Sequence, residues 1–183
     1  KWDSKLCLFI PLDAETEMFC TLYLFKNVQN SNEICKKVMS GELPCCIIKA
    51  SLIADPFQLI ISSNKAAINA KMNQLTTKNV YNEILFNLSM SKNISRALTE
   101  FGISDSDKNI LIAIIHKADE KTTLNTVIDA IKGEKIPVSK LPEYTDLELI
   151  KKTYKIDKDE LKVSSLINSI VSRISGKDFI LLR

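Results

Sequence analysis

The chain has 183 residues, 45% hydrophobic and 26% charged, with only 4 Gly and 5 Pro, a composition that excludes intrinsic disorder, collagen and glycine-rich linkers. Lys and Arg number 25 against 22 Asp and Glu, a formal charge of +3, so no basic excess announces nucleic acid by itself. A chain of this length buries roughly 70% of its unfolded surface, enough for one domain over residues 1–183 without disulfides or a metal.

Lys5 to Ile10 and Met18 to Phe25 are short runs rich in aromatic and other strand-favouring residues, separated by Pro11 and an acidic turn, and read as two strands of a hairpin or meander. After Asn30-Ser31-Asn32, the residues Ile34, Cys35, Val38 and Met39 recur at helical spacing until Gly41 stops the pattern. Cys45 to Ala50 reads as another strand. Asp55-Pro56 then supplies an N-cap and a proline at the first helical position, which predicts a helix from Pro56 to Met72. Its Leu59, Ile60, Ala66, Ala67 and Ala70 call for burial, while Ser62, Ser63, Asn64, Lys65 and Asn69 mark a polar side whose small residues allow a backbone or ligand to come close. Val80 to Leu88 suits a helix through Ile84, Leu85 and Leu88, although Val80, Tyr81 and Phe86 leave a strand open.

Asn93 is placed to cap a short helix ending at Phe101, with Gly102 expected as a left-handed C-terminal cap. Asn109 to His116 is the most apolar run in the chain and predicts a central strand. Leu124 to Ile131 and Asp146 to Tyr154 have helical spacing, and Pro137 and Pro142 break the segment between them. Val163, Leu166, Ile167, Ile170 and Ile174 predict a C-terminal helix, followed by an apolar tail, Phe179 to Leu182, within an extension over residues 176–183. The order of elements gives a mixed α/β, or α+β, domain with a central β-sheet packed by several helices.

Catalytic chemistry finds little to draw on. The chain has one histidine, His116, at the end of an apolar strand, and its four glycines are isolated, with neither GxGxxG nor GxxxxGK[ST]. Carboxylates such as Asp105 with Asp107, or Asp157 with Asp159-Glu160, sit in turn and cap contexts. The five cysteines, Cys7, Cys20, Cys35, Cys45 and Cys46, lack zinc spacing, and four of them lie in apolar runs, the usage of reduced thiols in a cytoplasmic or nuclear protein. No catalytic residue, cofactor or metal is therefore expected. Every apolar run is interrupted well before the roughly 18 residues of a membrane span. Lysines gather around the first two helices (Lys36, Lys37, Lys49, Lys65, Lys71) and again at Lys151, Lys152, Lys155 and Lys158.

Several separated motifs occur in order: Ala54-Asp55-Pro56-Phe57-Gln58-Leu59-Ile60 continuing to Ser63-Asn64-Lys65-Ala66; Glu83-Ile84-Leu85-Phe86-Asn87-Leu88-Ser89; and Asn93-Ile94-Ser95 with Ala97-Leu98 and Phe101-Gly102-Ile103-Ser104. With the strand Ile110 to Ile115, Leu141-Pro142-Glu143 and Lys151-Lys152-x-Tyr154-Lys155, they resemble the TPRKB family, the PRPK-binding subunits of the EKC/KEOPS complex, from about Leu22 onward. The resemblance implies a non-catalytic subunit that binds a small atypical kinase/ATPase of the PRPK type and, through it, the other subunits. It also implies a contact with the 3′ CCA end of tRNA, in a complex that installs threonylcarbamoyl on the adenosine beside the anticodon of tRNAs reading codons that begin with A. Kinase binding needs an apolar patch, for which the C-terminal stripe Leu166, Ile170 and Ile174 and the Phe101-Gly102-Ile103 turn are the candidates. For tRNA the candidate is the polar edge Asn64-Lys65, because single-stranded ends are held by positive charge and base-edge hydrogen bonds.

Overall fold

The run Ile110–His116 forms strand β4 and is buried at every position, so the sheet around it has to be covered on both faces. A computed structural model describes residues 6–181. Lys5, at the start of the expected opening strand, and Leu182, at the end of the expected tail, lie outside the described residues. Strand β4 pairs antiparallel with β2 (Phe19–Lys26) on one side and β3 (Cys46–Lys49) on the other. Strands β1 (Cys7–Pro11) and β5 (Glu134–Ile136) lie along the other edge of β2, giving the order β1-β2-β4-β3 with β5 also on β2.

Alternation along the strands sends side chains to two cores. Leu22, Leu24, Ile48, Leu111 and Ala113 face helices α2 (Pro56–Lys71), α3 (Val80–Leu88), α4 (Ile94–Phe101), α6 (Leu147–Tyr154) and α8 (Leu166–Leu181). Tyr23, Phe25, Ile112 and Ile114 face α1 (Ser31–Met39) through Ile34 and α5 (Lys121–Asp129) through Leu124 and Val127. A one-turn helix, α7 (Glu160–Val163), precedes α8. The result is the expected α+β domain, a sheet between two helical layers.

Local signals fix the helix ends. The Asp55 carboxylate accepts from the Phe57 N–H, Asn93 from Arg96, and Asp146 from Leu149. Asn79 accepts from both Tyr81 and Asn82, which settles Val80–Leu88 as a helix. Asn30 behaves differently: its side chain donates to the Ala130 carbonyl and accepts from the Lys132 N–H, tying the start of α1 to the end of α5 instead of capping its own helix.

Three expectations are corrected. Gly102 is extended (φ −66°, ψ 153°), not left-handed, and pairs with Ile48 as an isolated bridge at the edge of β3. Glycine is needed there for space, since a Cβ would lie 2.5 Å from the Leu98 carbonyl oxygen. Ser62 and Ser63 do not lie on a polar side: both are fully buried, because α2 packs on β4, α3 and α8 together and its small side chains let those elements approach. The C-terminal helix begins at Leu166, after an extended Ser164, and runs to Leu181, so Phe179 belongs to the helix and not to a tail beyond it.

The largest fully buried side chain, Tyr154, links three elements: its hydroxyl donates to the Leu88 carbonyl (2.7 Å) and accepts from Gln58 Nε2 (2.8 Å). Tyr154→Phe leaves both partners buried and short of one bond, and is expected to lower stability by about 1–3 kcal/mol. Urea unfolding should show a lower midpoint with an unchanged slope.

Candidate functional site

The reactive side chains are occupied or silenced. Burial pushes the Cys20 and Cys45 thiols up to about 12 and raises Cys46 as well. Cys35 is raised by burial and then by Asp105 and Asp107. At neutral pH these are thiols and not thiolate nucleophiles. His116 Nδ1 donates to the Lys117 carbonyl (2.6 Å), which leaves Nε2 to accept from the Thr21 hydroxyl (2.7 Å). Asp107 accepts from the Ser104 N–H and hydroxyl, and Asp157 from the Glu160 N–H. Glu160 takes both guanidinium nitrogens of Arg173 at 2.6 and 2.7 Å, and that pairing holds its carboxyl down near 2. Among the described residues no three His, Cys, Asp or Glu side chains converge as metal ligands, and no helix is long and apolar enough to cross a membrane.

The sequence-selected binding residues fall into two places. Helix α8 lies against α2 and α3, with Ile170 and Ile174 fully buried and Leu166 packed at the margin of the same core. Ile170 and Ile174 are therefore core residues of the isolated chain. Lys65 reaches across the α2/α8 seam, its ammonium donating to the Ile174 carbonyl (3.1 Å) and pairing with Asp178 (2.9 Å). Its neighbour Asn64 turns the other way and accepts from the Asp13 N–H at 2.7 Å, holding the turn after β1. The two residues of the polar edge thus serve different contacts. Sequence reading missed Lys177, which is 3% exposed: its ammonium donates to the Phe86 carbonyl and sits 3.4 Å from the Phe86 ring centroid. Its position one turn beyond the stripe residues Ile170 and Ile174 was the available signal.

The Phe101-Gly102-Ile103 turn lies at the edge of β3. Phe101 points inward, fully buried and edge-on to Tyr154 at 6.0 Å between centroids. Gly102 and Ile103 line an open apolar groove of about 410 Å³ between α1, α3 and α4, with Val38, Met39, Leu85 and Leu98 on its walls. Met39 is 87% exposed at its rim, and Lys49 closes one end by donating to the Thr99 and Glu100 carbonyls.

Comparison with known proteins supplies the class. A family model described as kinase binding protein CGI-121 matches residues 25–178, so the chain belongs to the CGI-121 family of kinase binding proteins. Its relatives carry a more particular name. The EKC/KEOPS complex subunit TPRKB of Danio rerio is 38% identical over 173 residues, 93% of this chain and 99% of that protein. The EKC/KEOPS complex subunits of Candida glabrata (28% identical, 88% of this chain and 95% of that protein) and Schizosaccharomyces pombe (25%, 91% and 98%) are similar over comparable lengths. The resemblance read from the separated motifs is thus shown, and the matched span begins close to Leu22, the residue from which the resemblance was expected to run.

The buried lysine has a pH signature. Burial, then the nearby Lys65 charge, lowers Lys177 to about 8 from its ordinary 10.5. Between those values the unfolded chain binds more protons at Lys177 than the folded one, so this group's contribution to stability rises as pH increases from 8 to 10.5, against the buried Cys20 and Cys45 thiols, whose contribution falls above about pH 9. The stability of the unsubstituted protein relative to Lys177→Met should therefore rise across that window when the two are compared by urea unfolding, the thiols being common to both.

Proposed function

We propose that the chain is a non-catalytic accessory subunit of the EKC/KEOPS complex. It binds a PRPK-type atypical kinase/ATPase and helps recruit tRNA by its 3′ CCA end for threonylcarbamoyladenosine modification of tRNAs reading codons that begin with A. Its compartments are the cytoplasm and nucleus, a reading supported by the buried thiols of Cys20, Cys45 and Cys46, which form no disulfide. The observation that carries kinase binding, beside the family match, is the groove at Gly102 and Ile103: apolar walls, an exposed Met39 and a polar rim are what a protein partner buries. The kinase inserts an apolar side chain there. The stripe on α8 supports this docking only from within, because Ile170 and Ile174 are buried.

A second reading is favoured by Phe179, 75% exposed on α8, which makes the C-terminal end of that helix the kinase contact. Titration calorimetry with the purified kinase separates the two. Ile103→Asp is expected to weaken binding about tenfold or more with an unchanged fold, and Phe179→Asp to leave it unchanged. The reverse pattern moves the site to α8.

On the RNA side, Asn64 and Lys65 remain the proposed contact for the CCA end. Lys65 does so by exchanging the Asp178 carboxylate for a phosphate. Lys65→Ala is expected to weaken binding of intact tRNA more than binding of tRNA stripped of its CCA. Asp178→Asn loosens the same seam but keeps the cation, and should leave tRNA affinity unchanged or raised. Equal losses in the two variants would show that Lys65 acts only by holding α8.

A further inference from the structure

The end of α6 carries a residue in a conformation its side chain disfavours. Lys155 is left-handed (φ 51°, ψ 50°) and closes the helix: its N–H donates to the Lys152 carbonyl and the following Ile156 N–H to the Lys151 carbonyl, at 3.2 and 2.9 Å. Glycine is the residue that occupies this position without steric cost, and here a lysine stands instead. The turn throws Lys155 outward beside Lys152 and Lys158. All three are exposed, and none has an ion-pair partner among the described residues.

Neighbouring acids offset them only in part: the charged Asp157 carboxylate lies beside them, and the other acids are paired elsewhere. Glu148 pairs with Lys151, Asp159 with Lys162, and Glu160 with Arg173, while the Asp157 carboxylate caps the Glu160 N–H. Between α6 and α7 the lysines rim a depression of about 590 Å³ whose floor includes Ile156 and Leu161. Lysines at a helix C-terminus also complement its dipole, but that role is available to Lys151 and Lys152 within the helix and does not require Lys155 in a left-handed position.

We infer that the rim formed by Lys152, Lys155 and Lys158 is a phosphate-contacting surface for RNA, one that tracks the sugar-phosphate backbone and reads no sequence. This rests on the tRNA reading above and adds to it a second contact region, on elements other than α2. Flexible ammonium groups suit a line of phosphates, each acting as a point charge, and every contact formed releases counterions.

The test is fluorescence anisotropy of the whole chain with intact and CCA-stripped tRNA over a range of salt concentrations, comparing the unsubstituted protein with the combination Lys152→Ala, Lys155→Gly and Lys158→Ala. The substituted chain is expected to lose roughly tenfold in affinity at low salt and about 2 from the slope of log affinity against log salt, equally for both RNAs. Lys155→Gly alone should not lower the melting temperature, because it relieves the left-handed residue. An unchanged slope while the unsubstituted protein binds tRNA normally would overturn this surface and leave the tRNA reading intact. A loss of kinase affinity with tRNA binding unaltered would assign the lysines to a protein partner and overturn it as well. No salt-dependent binding by the unsubstituted protein would remove the tRNA reading and this surface together.

Discussion

The structure depends on the need to cover β4 on both faces. Leu111, Ala113 and Ile115 face one core and Ile110, Ile112 and Ile114 the other, so neither side of the sheet can meet water. On the second face, α1 and α5 suffice, pinned together by the Asn30 side chain. On the first, α2 does the covering, and because it is built from Ser62, Ser63, Ala66 and Ala67 it allows α3 and α8 to close on it as well. A helix enclosed on several sides has to bury polar groups. Asn87 therefore donates to the Ser62 carbonyl, and the Ser62 hydroxyl to that of Gln58.

That packing decides what α8 can do. Its apolar stripe is spent on the core, and its docking buries the Lys177 ammonium against the Phe86 ring and carbonyl while Lys65 bridges to Ile174 and Asp178. A helix held by two lysines, one of them desolvated, is bound less firmly than its hydrophobic burial alone suggests. Besides Phe179 on α8, apolar surface is left open in the groove where the Gly102 segment runs along the edge of β3 in place of a further strand and blunts that edge.

Much of this was legible in the residues because the deciding interactions are local or periodic. Asp55-Pro56, Asn93 and Asp146 mark helix starts through side-chain caps to their own next turn, and the apolar run at Ile110 permits only a buried strand. What failed depends on distant partners. Gly102 looks like a left-handed stop, but its conformation is set by Ile48, more than fifty residues earlier in the chain. Ser62 and Ser63 look polar, and only the arrival of α3 and α8 makes them buried spacers. Asn64 and Lys65 are adjacent in sequence, yet one holds the turn at Asp13 and the other the end of α8. The stripe at Ile170 and Ile174 was visible as apolar, but periodicity alone does not tell a core face from a docking face.

The proposed role needs two partners on one small domain at once: a kinase over the groove between α1, α3 and α4, and RNA on α2 and on the lysine rim at the end of α6. Those regions are built from different elements. The most direct measurement is sedimentation velocity of the chain mixed with the PRPK-type kinase and tRNA at low salt, with each component labelled separately. Comigration of all three in one boundary, faster than either binary complex, is the predicted result. Displacement of tRNA as kinase is added would contradict the account, because it would show that the two partners compete for one surface.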